Sequence, residues 1–232
     1  MGPALRAGIV LALVAGVAWA FWSGSVRIPD RWNPWAPLRI DDVPNLLTRY
    51  KLARLGAEPA QCLAVLEGSA MRHAPQADRT FAPGCGWENA VRITATPTTV
   101  SQPFVLQCPA AVALALWERH SLQPLALRHF GVPVARIDHF GSYACRNIGG
   151  EGGSRRSEHA SANAFDVAGF VFADGRALRV VRDWRGDDAA ARFLHDVHAG
   201  ACRFWNVALG PDYNAAHVDH LHLDLGRFRA CR

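Results

Sequence analysis

Two short runs hold most of the side chains here that could do chemistry: Ser157 to Asp166 (SEHASANAFD) and His217 to Asp224 (HVDHLHLD). They bring two histidines and a carboxylate with the spacing of metal ligands, and leave further histidines over for proton transfer. Zinc that serves hydrolysis takes three ligands from His, Asp, Glu or Cys and leaves a fourth position to water. His159, Asp166 and His222 meet that requirement. A lone His-x-His is weak evidence, because alternating histidines also occur on solvent faces and in satisfied cores, and only two of the ten histidines enter this set. The coincidence of the two runs in one chain gives the set its weight.

The second run alternates polar and apolar from His220 to Leu225, the pattern of a strand with one buried face. Side chains two apart share a face, so His220, His222 and Asp224 point one way and the leucines the other. At about 3.3 Å per residue the two histidines start roughly 6–7 Å apart, so one can bind a metal while the other reaches a water on it. Asp219 falls on the leucine face if the strand already runs there, and can act as the base only if the strand begins after it. Asp224 suits a supporting role behind a histidine. Ser157 suits a cap, Asn163 a turn, and His195 and His198 a helix at the core edge or surface.

The pattern Ser-x-His-x6-Asp followed by His-x-His resembles the zinc peptidases of the D-Ala-D-Ala carboxypeptidase group, which share the hedgehog/lysostaphin-type fold. The fuller string resembles the extensin-like C-terminal domain family. Its marks are Gly84-Cys85-Gly86, Tyr143 to Arg146, Ser157 to Asp166, Leu209 to Tyr213 and Cys231-Arg232, and the likeness runs from about Pro44 to the end. It implies that His159, Asp166 and His222 bind Zn2+ and that His220 assists the water. His217, His220 and His222 are similar to the His-x-x-His-x-His of murein endopeptidases. D-Ala-D-Ala dipeptidases carry a glutamate where Asp219 stands, so the base is open among His220, His217 and Asp219. Arg146 resembles an arginine that contacts substrate; a surface ion pair is the alternative.

The implied activity is hydrolysis of a D,D- or L,D-peptide bond in bacterial cell-wall peptidoglycan. A non-catalytic, zinc-containing wall-binding or scaffolding module is the alternative, and an exported zinc peptidase acting on protein is a third reading.

The elements that must position these residues can be read only coarsely. Ala7 to Trp22 carries no charge and follows Arg6. It is short of the about 20 residues that span a bilayer, and Ala18-Trp19-Ala20 is a weak cleavage site, so residues 1–22 read as a signal anchor in preference to a cleaved signal peptide. Either places the domain in the cell envelope, in the periplasm. Six scattered cysteines without a Cys-x-x-Cys pair fit disulfides in an exported chain; Cys145 and Cys202, flanking the first run, could staple it. A net charge of +5 without an aromatic-interleaved basic stripe argues against nucleic acid as a partner, leaving peptidoglycan peptides and, through the N-terminal segment, a membrane.

Residues 23–43 read as a linker with Trp32 and Trp35 near the interface, and 44–232 as one domain. Helices are predicted over Pro44 to Leu55, from Pro109, over Gln123 to Phe130 before Gly131, and over Ala189 to Phe204. A strand is predicted over Val134 to Cys145. A hairpin is predicted from Ala164 to Ala173 and Arg176 to Trp184 around Asp174-Gly175. Trp87, Trp117, Trp184 and Trp205 suit the core. The fold class is α+β with a small antiparallel sheet and flanking helices.

Overall fold

The structure, a computed structural model, describes residues 2–150 and 153–232, so Met1 of the expected anchor lies outside the described residues. Helix α1 spans Pro3–Trp22 and none of its residues is buried. Its 20 residues start before Arg6, which makes it longer than the uncharged run alone, and it is long and apolar enough to cross a membrane.

The expected linker does not hang free. The Asp30 carbonyl accepts from Lys51 Nζ (2.7 Å), and the Pro34 carbonyl accepts from Arg54 (3.1 Å). Leu38 and Ile40 are buried in the hydrophobic core. Packing therefore begins ahead of Pro44. Helix α2 (Leu46–Arg54) starts at Asn45, whose side chain accepts from Leu47 N while Thr48 returns the bond to Asn45 N. Helix α3 (Pro59–Glu67), unforeseen in the sequence, follows.

Two small sheets come next. Strands β1 (Arg72–Gln76), β4 (Ala90–Ala95) and β6 (Phe104–Gln107) form one; β2 (Arg79–Ala82) and β3 (Cys85–Trp87) form a hairpin. In that hairpin Gly86 has φ +152, and a Cβ there would lie 1.9 Å from the Arg79 carbonyl oxygen, so only glycine fits. A short strand, β5 (Thr99–Val100), joins the main sheet.

Helix α4 (Cys108–Trp117) opens with Pro109 and is apolar on every face; all its residues but Pro109 are buried. A π-helical turn at Glu118–Leu122 carries it into α5 (Gln123–Phe130), which Gly131 closes at φ +71.

The main sheet has the order β12-β10-β11-β8-β7-β5, built from β7 (Val134–Gly141), β8 (Ala164–Phe172), β10 (Val207–Leu209), β11 (Leu221–Asp224) and β12 (Ala230–Cys231), with β9 (Ala177–Arg179) paired to β8. Its middle is antiparallel; the β5–β7 and β10–β12 pairs at its ends are parallel. The class is α+β, as expected.

Several boundaries differ from the sequence expectation. The strand from Val134 stops at Gly141, whose φ of +113 turns the chain out of the sheet before Cys145. The second arm of the hairpin pairs only through Arg179, because the Asp183 carboxylate accepts from Arg179 N (2.7 Å) and starts the helical turn α6 (Val180–Asp183). Helix α7 (Ala189–Ala201) ends before Phe204. Cys145 and Cys202 do not pair with each other: the bridges are Cys62–Cys108, Cys85–Cys145 and Cys202–Cys231. All six cysteines are thus used, an arrangement suited to an oxidising compartment.

Trp117, Trp184 and Trp205 are core residues, while Trp87 is half-buried. Leu221 and Leu223 of β11, opposite Val167 and Phe165 of β8, pack into that core. The other face of the same two strands is polar.

Candidate metal centre

On that polar face His222 and Asp166 are direct cross-strand partners. His159 arrives from a single 3-10 turn (Glu158–Ser161) capped by the Ser157 side chain. The turn is tied to the sheet by Asn163, whose amide donates to Glu158 (2.7 Å) and whose carbonyl accepts from Leu225 N (3.3 Å). All three side chains are buried.

Their atoms converge. His159 Nε2 lies 3.1 Å from His222 Nδ1 and 3.1 Å from Asp166 Oδ2, and His222 Nδ1 lies 2.9 Å from Asp166 Oδ1. Ligands on a tetrahedral ion at about 2.0–2.1 Å sit about 3.3 Å from one another, so the triangle has the size such an ion needs. The outer nitrogens are also provided for. His159 Nδ1 donates to the Ser142 carbonyl (3.0 Å), and His222 Nε2 donates to Asp224 Oδ2 (2.9 Å). Asp224 Oδ1 in turn accepts from Gly226 N (2.7 Å), and a Cβ at Gly226 would lie 2.7 Å from Glu158 Oε1.

With both outer nitrogens protonated, His159 and neutral His222 turn bare lone pairs toward each other and toward a carboxylate. That arrangement calls for a cation. Without a metal a proton fills the need: burial alone would lower the His222 pKa, but hydrogen bonds to Asp166 and Asp224 raise it to about 9. Burial likewise works to raise the Asp166 carboxyl, yet hydrogen bonds from His159 and His222 hold it well below the usual carboxylate range. The residues present fit a divalent metal with N₂O ligation.

His220 stands beside the triangle, with Nε2 3.5 Å from Asp166 Oδ1 and Nδ1 2.8 Å from Asp219 Oδ1. The strand begins only at Leu221, so Asp219 precedes it and is free of the leucine face. Its side chain is half-exposed and turned to His220. His217 is half-buried, its ring 5.3 Å from that of His220 and 5.6 Å from that of His222. Burial, then the neighbouring His222 and His220, lower its pKa to about 4. Arg146 is largely exposed, with a guanidinium nitrogen 3.9 Å from Asp166 Oδ2. The structure thus brings all seven sequence-predicted site residues to one place.

Other residues support the site without having been assigned a role from the sequence. Asn214 Oδ1 accepts from His217 Nδ1 (2.7 Å) and from Ala216 N (3.0 Å); its signal was a capping residue ahead of a turn. The Ser142 carbonyl has none, since every residue carries one. The ring of Phe140 lies 5.9 Å from His220 and that of Tyr213 5.5 Å from His217. Cys145, next to Arg146, is bonded to Cys85 of the β2–β3 hairpin, and Phe81 and Trp87 of that hairpin pack on Tyr143 with ring centroids 5.3 and 5.1 Å away. The Leu209 to Tyr213 stretch is held by Trp184 Nε1, which donates to Asp212 (2.9 Å). His195 and His198 bind the Trp184 and Ala208 carbonyls, away from the site.

No curated protein and no solved structure matches the chain significantly. A family model described as extensin-like protein C-terminus does match, over residues 60–232. That match covers most of the chain, including every ligand candidate and all three disulfides, and the protein belongs to the extensin-like C-terminal family.

Proposed function

We propose that this protein is a zinc-dependent peptidase of the bacterial cell envelope that hydrolyses a D,D- or L,D-bond in peptidoglycan peptides. The observation that carries the reading is the position of His220: an imidazole oriented by Asp219 and set 3.5 Å from a carboxylate of the metal triangle. A purely structural metal site has no use for it. The substrate class rests on the resemblance to the D-Ala-D-Ala carboxypeptidase and murein endopeptidase group, and on α1 and the disulfides, which suit a domain anchored at a membrane on its oxidising side.

His159 Nε2, His222 Nδ1 and Asp166 would hold the zinc, which when bound supplies Lewis-acid polarisation of a scissile carbonyl and acidifies an attacking water. His220 Nε2 accepts the proton of that water and delivers it to the leaving amine. Asp219 keeps the His220 proton on Nδ1 and so keeps Nε2 basic. Arg146, exposed beside Asp166, presents a guanidinium to a substrate carboxylate or to the developing oxyanion.

The test is incubation of the full chain, zinc-loaded, with purified wall and mass detection of released peptides. Peptide release that chelation stops and zinc restores supports the reading. Binding to wall without release under any metal condition replaces it with the wall-binding module.

A further inference from the structure

The metal triangle accounts for His159 and His222, and hydrolysis needs one imidazole to carry a proton. The site holds two more. His217, His220 and His222 each offer a ligating nitrogen within 4.8 Å of the others, so a second triad overlaps the first and shares His222 with it. His222 has only Nδ1 to give, because Nε2 is committed to Asp224. A second ion alongside the first therefore needs another third donor, and Asp166 is placed to supply it by bridging: Oδ2 lies 3.1 Å from His159 Nε2, while Oδ1 lies 2.9 Å from His222 Nδ1 and 3.5 Å from His220 Nε2.

His217 and His220 are prepared in the same way as the first-site histidines. Asn214 Oδ1 takes the Nδ1 proton of His217, and its own orientation is fixed because it also accepts from Ala216 N. Asp219 takes the Nδ1 proton of His220. Each ring is left with an Nε2 lone pair, the state in which imidazole binds metal. His217 is only half-buried, which leaves this side open to an ion from solvent.

We infer that His217, His220 and a bridging Asp166 carboxylate form a second, weaker divalent-metal position that fills when zinc is in excess and shuts the site down. Ions in two-metal sites stand about 3.5–4 Å apart. The ion and the proton compete for one lone pair on His220, so a filled second position removes the proton carrier without disturbing the first ion. The inference rests on His159, Asp166 and His222 as the first position.

Zinc stoichiometry of the metal-stripped full chain in detergent, measured by equilibrium dialysis over a range of free zinc, tests it without any substrate. The expected result is one tight equivalent followed by a second, weaker one, and with cobalt in place of zinc a magnetically coupled pair. His217→Ala should lose the second equivalent and keep the first. Asn214→Ala should weaken only the second, about 10-fold. One equivalent at every concentration, or a second that survives in His217→Ala, overturns this inference and leaves the first site standing. Failure to bind any zinc overturns both.

Discussion

Asp219 Oδ1 and His220 Nδ1 lie 2.8 Å apart, a carboxylate and an imidazole from adjacent residues that meet because the chain has not yet entered its strand. Alternation would have put Asp219 on the core face; the turn before Leu221 frees it to orient its neighbour. His220→Ala should lower turnover by about 10²–10⁴-fold with zinc retained. Asp219→Asn should cost less, about 10-fold, since it disturbs the orientation and tautomer of the ring without removing it. Steady-state rates on a defined wall peptide decide. An active His220→Ala beside an inactive Asp219→Asn would make Asp219 the base.

Metal binding should separate ligands from their supports. Asp166→Ala and His222→Ala should lose zinc, and full occupancy in either removes the assignment. Asp224→Ala leaves the triangle intact but frees His222 Nε2, so zinc affinity should fall about 10–100-fold. Competition against a zinc chelator measures both.

The His222 shift makes the metal-free protein sensitive to alkali. Its folded pKa of about 9 stands above the ordinary 6.5, so the stabilisation is fully present below pH 6.5 and is lost as pH rises through 9. Zinc must displace that proton, so its affinity should rise about tenfold per pH unit across this window. The melting temperature of the metal-free protein should thus fall from pH 6.5 to 9 while zinc binding tightens. A metal-free melting temperature that is level or rising over that range counts against the charged His222.

Acid works the other way. His217 is lowered to about 4, and burial also lowers His139 and His198. Their contribution is present above pH 6.5 and disappears as pH falls through the folded values. Urea midpoints should be lower at pH 4 than at pH 7, and His217→Ala should flatten part of that difference.

Thiol counting under denaturing, non-reducing conditions should find no free cysteine. Replacing Cys85 and Cys145 together by serine should cost about 2–4 kcal/mol, read from urea unfolding. It should also impair hydrolysis, because the bridge secures the segment that carries Arg146 and the Ser142 carbonyl behind His159.

The site was legible in the sequence to an unusual degree because its parts come from a strand and from a segment that enters the neighbouring strand. Period-two alternation from His220 to Leu225 revealed which side chains share a face, and the short reach from His159 to Asp166 limited how far apart they could lie. What alternation cannot give is register: that His222 faces Asp166, and not Ala164 or Ala168, depends on pairing between segments far apart in the chain. Helices with a proline start or a glycine stop, such as α4 and α5, were equally readable. The β1 sequence Arg-His-Ala-Pro-Gln has no apolar alternation and is mostly exposed, so nothing marked it as a strand. Helix α3 carries the same punctuation as α4 and α5, Pro59 at its start and Gly68 after its end, so its boundaries were marked in the sequence although the expectation did not include it. The disulfide partners follow from tertiary folding alone.

The bond between Lys51 and the Asp30 carbonyl sets the length of a leash. Only Ser23 to Pro29 separates the end of α1 from that first anchored point, and at about 3.3–3.6 Å per residue it extends to about 25 Å at most. With α1 in a bilayer, a connection of that length would keep the near side of the domain close to the membrane surface. If the proposed activity holds, a peptidase so tethered would act on material near the membrane.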